Sequence, residues 1–190
     1  MPNTYTQIHL HVVFSVQNRQ SLIAESWKER LYQYISGIIK NNGHKMLAIG
    51  GMPDHIHILF GLRPSQSLSE IMKVVKGESA KWINQNGFIS GKFSWQEGYG
   101  AFSYSKSHIP AVVNYILTQE KHHKKTSFIE EYKELLEKFG IELPGTIFIS
   151  KNLVWRTYGT QIMTWCVTFL PTFSPYGTIR HTKTKFFYLC

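Results

Sequence analysis

Two histidine pairs carry the first chemical suggestion in the chain. His55-Ile56-His57 and His9-Leu10-His11 each set two imidazoles two residues apart, and residues at that spacing on a strand point to one face. Either pair could therefore share a divalent ion. Around His55 and His57, Ile56, Ile58 and Phe60 take the alternate positions, so that strand can be packed on one side and chemical on the other. Asp54 stands just before His55 and could orient its ring as metal-supporting carboxylates do. Spacing does not separate the two pairs. Both also fit the plainer reading of two polar residues on a half-buried strand.

Tyr115 and Gln119 form the other candidate, four residues apart and thus one helical turn from each other. Ile109, Val112, Val113, Ile116 and Leu117 fill one arc of that helix at about 100° per residue, with Tyr115, Gln119 and His122 along its flank. A tyrosine there could carry its oxygen to a site above a sheet, and the Gln119 amide oxygen could complete a metal site. A phenol with an ordinary pKa of about 10 is a weak nucleophile at neutral pH and needs a cation or base beside it. Two imidazoles and an amide oxygen leave an ion with open positions for phosphate oxygens, where it acts as a Lewis acid. Attack on a phosphodiester would conserve a phosphoester bond, so no nucleotide cofactor is called for. An amphipathic tyrosine with its hydroxyl at the surface is the ordinary alternative.

The elements that must position these groups alternate between strand and helix. Ile8, Leu10, Val12, Phe14 and Val16 keep period two and predict a first strand. Trp27, Leu31, Ile35, Ile38 and Ile39 recur at helical spacing and predict a helix over Glu25–Asn41. Residues 45–49 and 55–62 read as adjacent strands broken by Gly50-Gly51-Met52-Pro53-Asp54. Ser67 and Glu70 form a capping box that opens a second helix. Residues 91–104 are aromatic and partly alternating, a last strand bent at Gly98 and Gly100. A third helix is expected over residues 107–122 and a polar fourth over 127–139. The order implies an α+β sandwich with a mostly antiparallel sheet.

Composition narrows the partners. The 190 residues are 43% apolar, enough for one sizeable core. With 21 Lys+Arg against 12 Asp+Glu the net charge is +9, which favours an anionic partner such as nucleic acid. Residues 1–143 hold 16 of the basic residues and all 12 acids, whereas 144–190 hold 5 basic residues and no acid. Residues 143–190 are therefore expected to be an atypical basic tail, poorly ordered, after a domain at 1–142. The two cysteines, Cys166 and Cys190, lack metal-ligand spacing. Neither a signal peptide nor an apolar run of the roughly 18 residues that span a bilayer is present, so the expected location is the cytoplasm. Arg19, Lys73, Lys76, Lys81, Lys121 and Lys124 are candidates to track a phosphate backbone, and Trp95 to stack a base.

The chain resembles the small insertion-sequence transposases of the single-tyrosine HUH class, the tyrosine transposases. TYTQIHLHVVF at 4–14, GMPDHIHIL at 51–59, FSWQEGYGAF at 93–102 and NYILTQE at 114–120 carry the resemblance. It covers about residues 3–142. The resemblance implies that His55 and His57, rather than His9 and His11, hold a divalent metal, Mg²⁺ or Mn²⁺, with Gln119 as third ligand and Tyr115 as nucleophile. It further implies a ferredoxin-like, RNA-recognition-like fold and a homodimer whose sites are built from two protomers. Binding of hairpin ends of single-stranded DNA, and cleavage and rejoining through a 5′-phosphotyrosine, follow from the same resemblance. A housekeeping hairpin nuclease and a non-catalytic single-strand-binding module are the alternatives. The acid-free tail departs from the family pattern and reads as a frame-shifted or read-through end.

Overall fold

The computed structural model describes residues 5–123 and 127–141. The tail expected at 143–190 and Lys124 lie outside the described residues. Four strands, β1 (His9–Ser15), β2 (Lys45–Met52), β3 (His55–Gly61) and β4 (Gly100–Tyr104), form one sheet in the order β2-β3-β1-β4. Every neighbouring pair is antiparallel. The helices are α1 (Glu25–Asn41), α2 (Leu68–Asn86), α3 (Ile109–Leu117), α4 (Gln119–His122) and α5 (Phe128–Lys138). This is the expected α+β sandwich.

The sheet is covered on both faces. On one, Val12, Phe14, Ile56, Ile58 and Phe60 pack with Leu31, Ile35 and Ile39 of α1 and Ile71, Met72 and Val75 of α2. Each such side chain contributes about 1.5–3 kcal/mol when fully buried. The other face carries two smaller clusters: Val13 and Phe102 under Phe128, Tyr132, Leu135 and Leu136 of α5, and Ala48 and Leu59 under Val112 and Ile116 of α3. Between these clusters lie the histidines.

α1 has the bounds that its apolar spacing predicts, and α2 opens on the Ser67–Glu70 capping box. Three elements differ. β2 runs through Gly50 and Gly51 instead of breaking there, because the glycines serve close packing: a Cβ on Gly50 would meet the Ile116 carbonyl oxygen at 2.3 Å, and one on Gly51 the His55 carbonyl oxygen at 2.3 Å. The last strand is only Gly100–Tyr104, with Trp95 joined by a single isolated bridge to Val16, the residue just after β1. The third helix is divided at Thr118, whose φ of −106° and ψ of 20° end α3 and open α4. Its hydroxyl donates to the Asn114 carbonyl at 2.7 Å, a local bond that competes with helix continuation.

A candidate metal and tyrosine centre

Sheet register sets out the site. Gly50 lies opposite His57, His57 opposite Val13, and Val13 opposite Gly100, so one row across the sheet has His57 near its middle and a glycine at either end. α3 rests on the first glycine through Ile116, and α5 on the second, where a Cβ on Gly100 would lie 2.9 Å from Tyr132. The small ends of the row let two helices descend close to the sheet, and Tyr115 and Glu131 come from those helices.

His55 and His57 are both fully buried at 0% exposure. Each uses Nδ1 for a protein contact: His55 with Asp54 Oδ1 at 2.7 Å, and His57 with His11 Nε2 at 2.9 Å. With the protons on Nδ1, each ring donates there and turns an Nε2 lone pair inward, as metal-binding histidines do. Neither Nε2 has a hydrogen-bond partner. Arg19 holds Asp54 at 3.3 Å and lays its guanidinium 4.9 Å from the Phe128 ring centre.

Glu131, 1% exposed, occupies the space facing them. Its Oε2 lies 3.7 Å from His55 Nε2 and 3.6 Å from His57 Nε2, and 3.0 Å from His123 Nε2. Its Oε1 accepts the Tyr115 hydroxyl and, at 2.9 Å, the Gln119 amide N–H. That bond leaves Gln119 Oε1 buried and without a partner. His55, His57 and Glu131 each bring one ligand atom within 4.8 Å of the others. The donor set fits a divalent cation: two buried imidazole nitrogens without partners, a carboxylate and a spare amide oxygen are groups that such an ion would satisfy.

The electrostatics follow from burial. Desolvation lowers His55 to about 4 and carries His11 well below the ordinary histidine value, with the His57 charge adding to the shift of His11. Burial raises the Tyr115 phenol far above its usual range, and the Glu131 charge raises it further. For Glu131, burial pushes upward, but the hydrogen bond from His123, the neighbouring His57 imidazole and the Tyr115 hydroxyl outweigh it and hold the carboxylate ionised. Without a cation the tyrosine therefore stays protonated.

The structure brings Tyr115, Gln119, His55 and His57 together; the Tyr115 and His57 rings lie 5.9 Å apart. The rival pair is not a separate site. His11 supports His57, while His9 pairs across with Gly61 at the far end of the strand. The residues expected to contact DNA lie in different surroundings. Trp95 is 6% exposed, packs in the core and donates its indole N–H to Ser79 at 2.9 Å, so it has no free face for a base. Lys76 spends its ammonium on the carbonyls of Gln96 and Gly98 at 2.6 and 2.7 Å. Arg19 is engaged with Asp54 and Phe128. Lys73 and Lys81 are exposed, but α2 covers the face of the sheet opposite the histidines. Lys121, on α4, is exposed two residues from Gln119.

Glu131 and His123 are the site residues that sequence reasoning missed. The buried residues of α5 are Phe128, Glu131, Tyr132, Leu135 and Leu136, so Glu131 stands on the apolar stripe of its helix. An acid at a core position was the legible signal.

The fold is that of the tyrosine transposases. A Deinococcus radiodurans protein described as a transposase, solved at 1.90 Å, superposes with a TM-score of 0.50 at 20% identity, over 63% of this chain and 95% of that one. A REP-associated tyrosine transposase bound to a REP hairpin gives a TM-score of 0.50 at 15% identity, over 65% of this chain and 73% of the other. Residues 4–119 match the profile described as "Transposase IS200 like", and the chain belongs to that family. The ISDra2 transposase TnpA of Deinococcus radiodurans is 28% identical over 75 residues, 40% of this chain and 54% of that protein. The match thus spans about half the length of that curated relative. Among the described residues no helix is long and apolar enough to cross a membrane.

Proposed function

We propose that this transposase cleaves and rejoins single-stranded DNA at hairpin ends, with Tyr115 as nucleophile and His55, His57 and Gln119 as ligands of a divalent cation, Mg²⁺ or Mn²⁺. The observation that carries the reading is the convergence of Tyr115 with two buried imidazoles whose Nε2 atoms have no protein partner. The bound hairpin in a relative of like fold supports the choice of substrate.

When bound, the cation supplies positive charge that favours phenolate and polarises the scissile phosphate. The protein's own groups do the positioning. Asp54 and His11 fix the rings of His55 and His57, and Glu131 turns the Gln119 amide so that its oxygen is spare. The Tyr115 oxygen attacks phosphorus, the bond to the 3′ oxygen breaks, and the 5′ phosphate stays on the tyrosine while the 3′-hydroxyl leaves for strand transfer. A cavity of about 610 Å³ lined by Lys28, Lys40, Gly50, Gly51 and Gln119 opens beside β2 and reaches the edge of the site.

In this structure Tyr115 lies beside the histidines of its own chain, its ring 5.9 Å from that of His57, which supports a site completed within one chain over the shared site that the resemblance implies. The physical reason is the seat of α3 on Gly50, without a Cβ in the way. If two copies pair on DNA, as the resemblance implies, each brings a complete site. Incubation of the full chain with single-stranded hairpin oligonucleotides and Mg²⁺ or Mn²⁺ should yield a covalent protein–DNA adduct that Tyr115→Phe lacks while still binding the oligonucleotide. Equal adduct from the variant would move the nucleophile elsewhere. Co-purified mixed dimers of Tyr115→Phe and His55→Ala chains should stay inactive; restored cleavage would return the shared site.

A further inference from the structure

We propose that Glu131 is a ligand of the same cation, so that a carboxylate from α5 closes the centre formed by His55, His57 and Gln119. The inference rests on the cation reading above and assigns a further residue to it.

Distance is the first ground. Oε2 of Glu131 lies 3.7 and 3.6 Å from the two Nε2 atoms, beyond hydrogen-bond range. Two donors on one ion at bond lengths of about 2.1 Å stand roughly 3.0 Å apart at a right angle and about 3.4 Å apart at the tetrahedral angle. The observed spacings are slightly expanded from that, so a small inward shift suffices. A direct bond between carboxylate and imidazole would instead have used the Nε2 atoms, which are unpartnered.

Charge is the second. A buried carboxylate is costly unless a cation or several donors meet it. Glu131 accepts from Tyr115, Gln119 and His123, but among the described residues its ion-pair contacts are all to histidines, with no lysine or arginine among them. Conversely, two neutral imidazoles and an amide would leave a dication with no protein charge to offset it. The carboxylate and the ion answer each other.

Construction is the third. Ser127 and Glu130 form a capping box that fixes the start of α5, and Phe128, Tyr132, Leu135 and Leu136 pin the helix to the sheet. Gly100 lets it approach. Because Oε1 holds the Tyr115 hydroxyl while Oε2 faces the histidines, one side chain couples the position of the nucleophile to that of the ion.

The test is Mn²⁺ binding to the full chain without DNA, read by electron paramagnetic resonance of free Mn²⁺ and by calorimetry, with circular dichroism to check folding. Glu131→Gln, which keeps shape and a hydrogen-bonding oxygen, and Glu131→Ala should each weaken Mn²⁺ by about tenfold or more, comparable with the loss of groups that support a metal site. Glu134→Ala removes an equal charge from an exposed position of the same helix and should leave affinity unchanged. Glu131 variants that bind as tightly as wild type, while His55→Ala does not, would overturn the ligand assignment and leave the cation centre standing. Equal weakening by Glu134→Ala would also overturn it, as an effect of charge alone. A wild-type chain that binds no Mn²⁺ and forms no adduct would overturn the underlying reading as well.

Discussion

On β3, Ile56, Ile58 and Phe60 enter the core beneath α1 and α2, while His55 and His57 enter the layer beneath α3 and α5; all five are at 0% exposure. Equal burial has opposite meaning on the two faces. On the apolar side it stabilises the fold by removing hydrocarbon from water. On the other it disfavours charged imidazole and leaves two ring nitrogens unpartnered, a cost that is repaid when a ligand arrives. The first face holds the molecule together, and the second is held ready by it.

Exchanging damage between the faces should give the largest contrast. His57→Ala is expected to weaken Mn²⁺ by about a hundredfold or more, at the upper end for groups at metal sites, and to abolish adduct formation in a chain that still folds. Ile58→Ala should cost about 2–5 kcal/mol of stability yet bind Mn²⁺ normally at a temperature where it remains folded. Urea titrations beside calorimetry measure both. Matching losses of metal affinity from the two variants would erase the distinction.

A smaller effect is expected at the row that joins the faces to the helices. Gly50→Ala puts a Cβ against the Ile116 carbonyl oxygen and must lift α3, costing about 1–3 kcal/mol as overpacking does. Because Tyr115 neighbours Ile116, cleavage should fall about tenfold or more for a displacement of about 1 Å, a larger loss than in Mn²⁺ affinity, since His55 and His57 on β3 keep their places while Gln119 moves with the helix. Unchanged cleavage would mean that the seat does not position the tyrosine.

How far these parts were legible in the sequence depends on the range of the contacts. Periodicity gave α1 and β1, and the Ser67–Glu70 pair gave the start of α2, because those signals are local. Asp54 beside His55 was readable for the same reason. Gly50 and Gly51 read as a break, since the need for glycine there comes from Ile116, 66 positions away from Gly50, and from the crossing of β3. The choice between histidine pairs was also non-local: His11 meets His57 only through strand register. Glu131 was passed over because α5 was read as polar, although its burial pattern follows helical spacing. Lys76 and Trp95 show the converse, residues suited by type to nucleic acid but committed to the fold.

Acid should sharpen the contrast most gently. His55 is lowered to about 4 in the fold from an ordinary 6.5. Between those values the unfolded chain binds a proton that the folded site refuses, so stability is fully present above about pH 6.5 and declines as pH falls toward 4. His55 alone accounts for at most about 3 kcal/mol. The urea midpoint of metal-free protein should therefore drop between pH 7 and 4.5, and His55→Ala should flatten that drop. An equal slope in the variant would place the titration elsewhere.

In the function we propose, the polar face directs Tyr115 at DNA phosphate. The most direct test is mass spectrometry of the adduct formed with a single-stranded hairpin oligonucleotide and Mn²⁺, after digestion with trypsin and nuclease. The expected product is a nucleotide joined through its 5′ phosphate to Tyr115, on the peptide of residues 107–121. A modification on any other tyrosine, or on a histidine or serine, would contradict it.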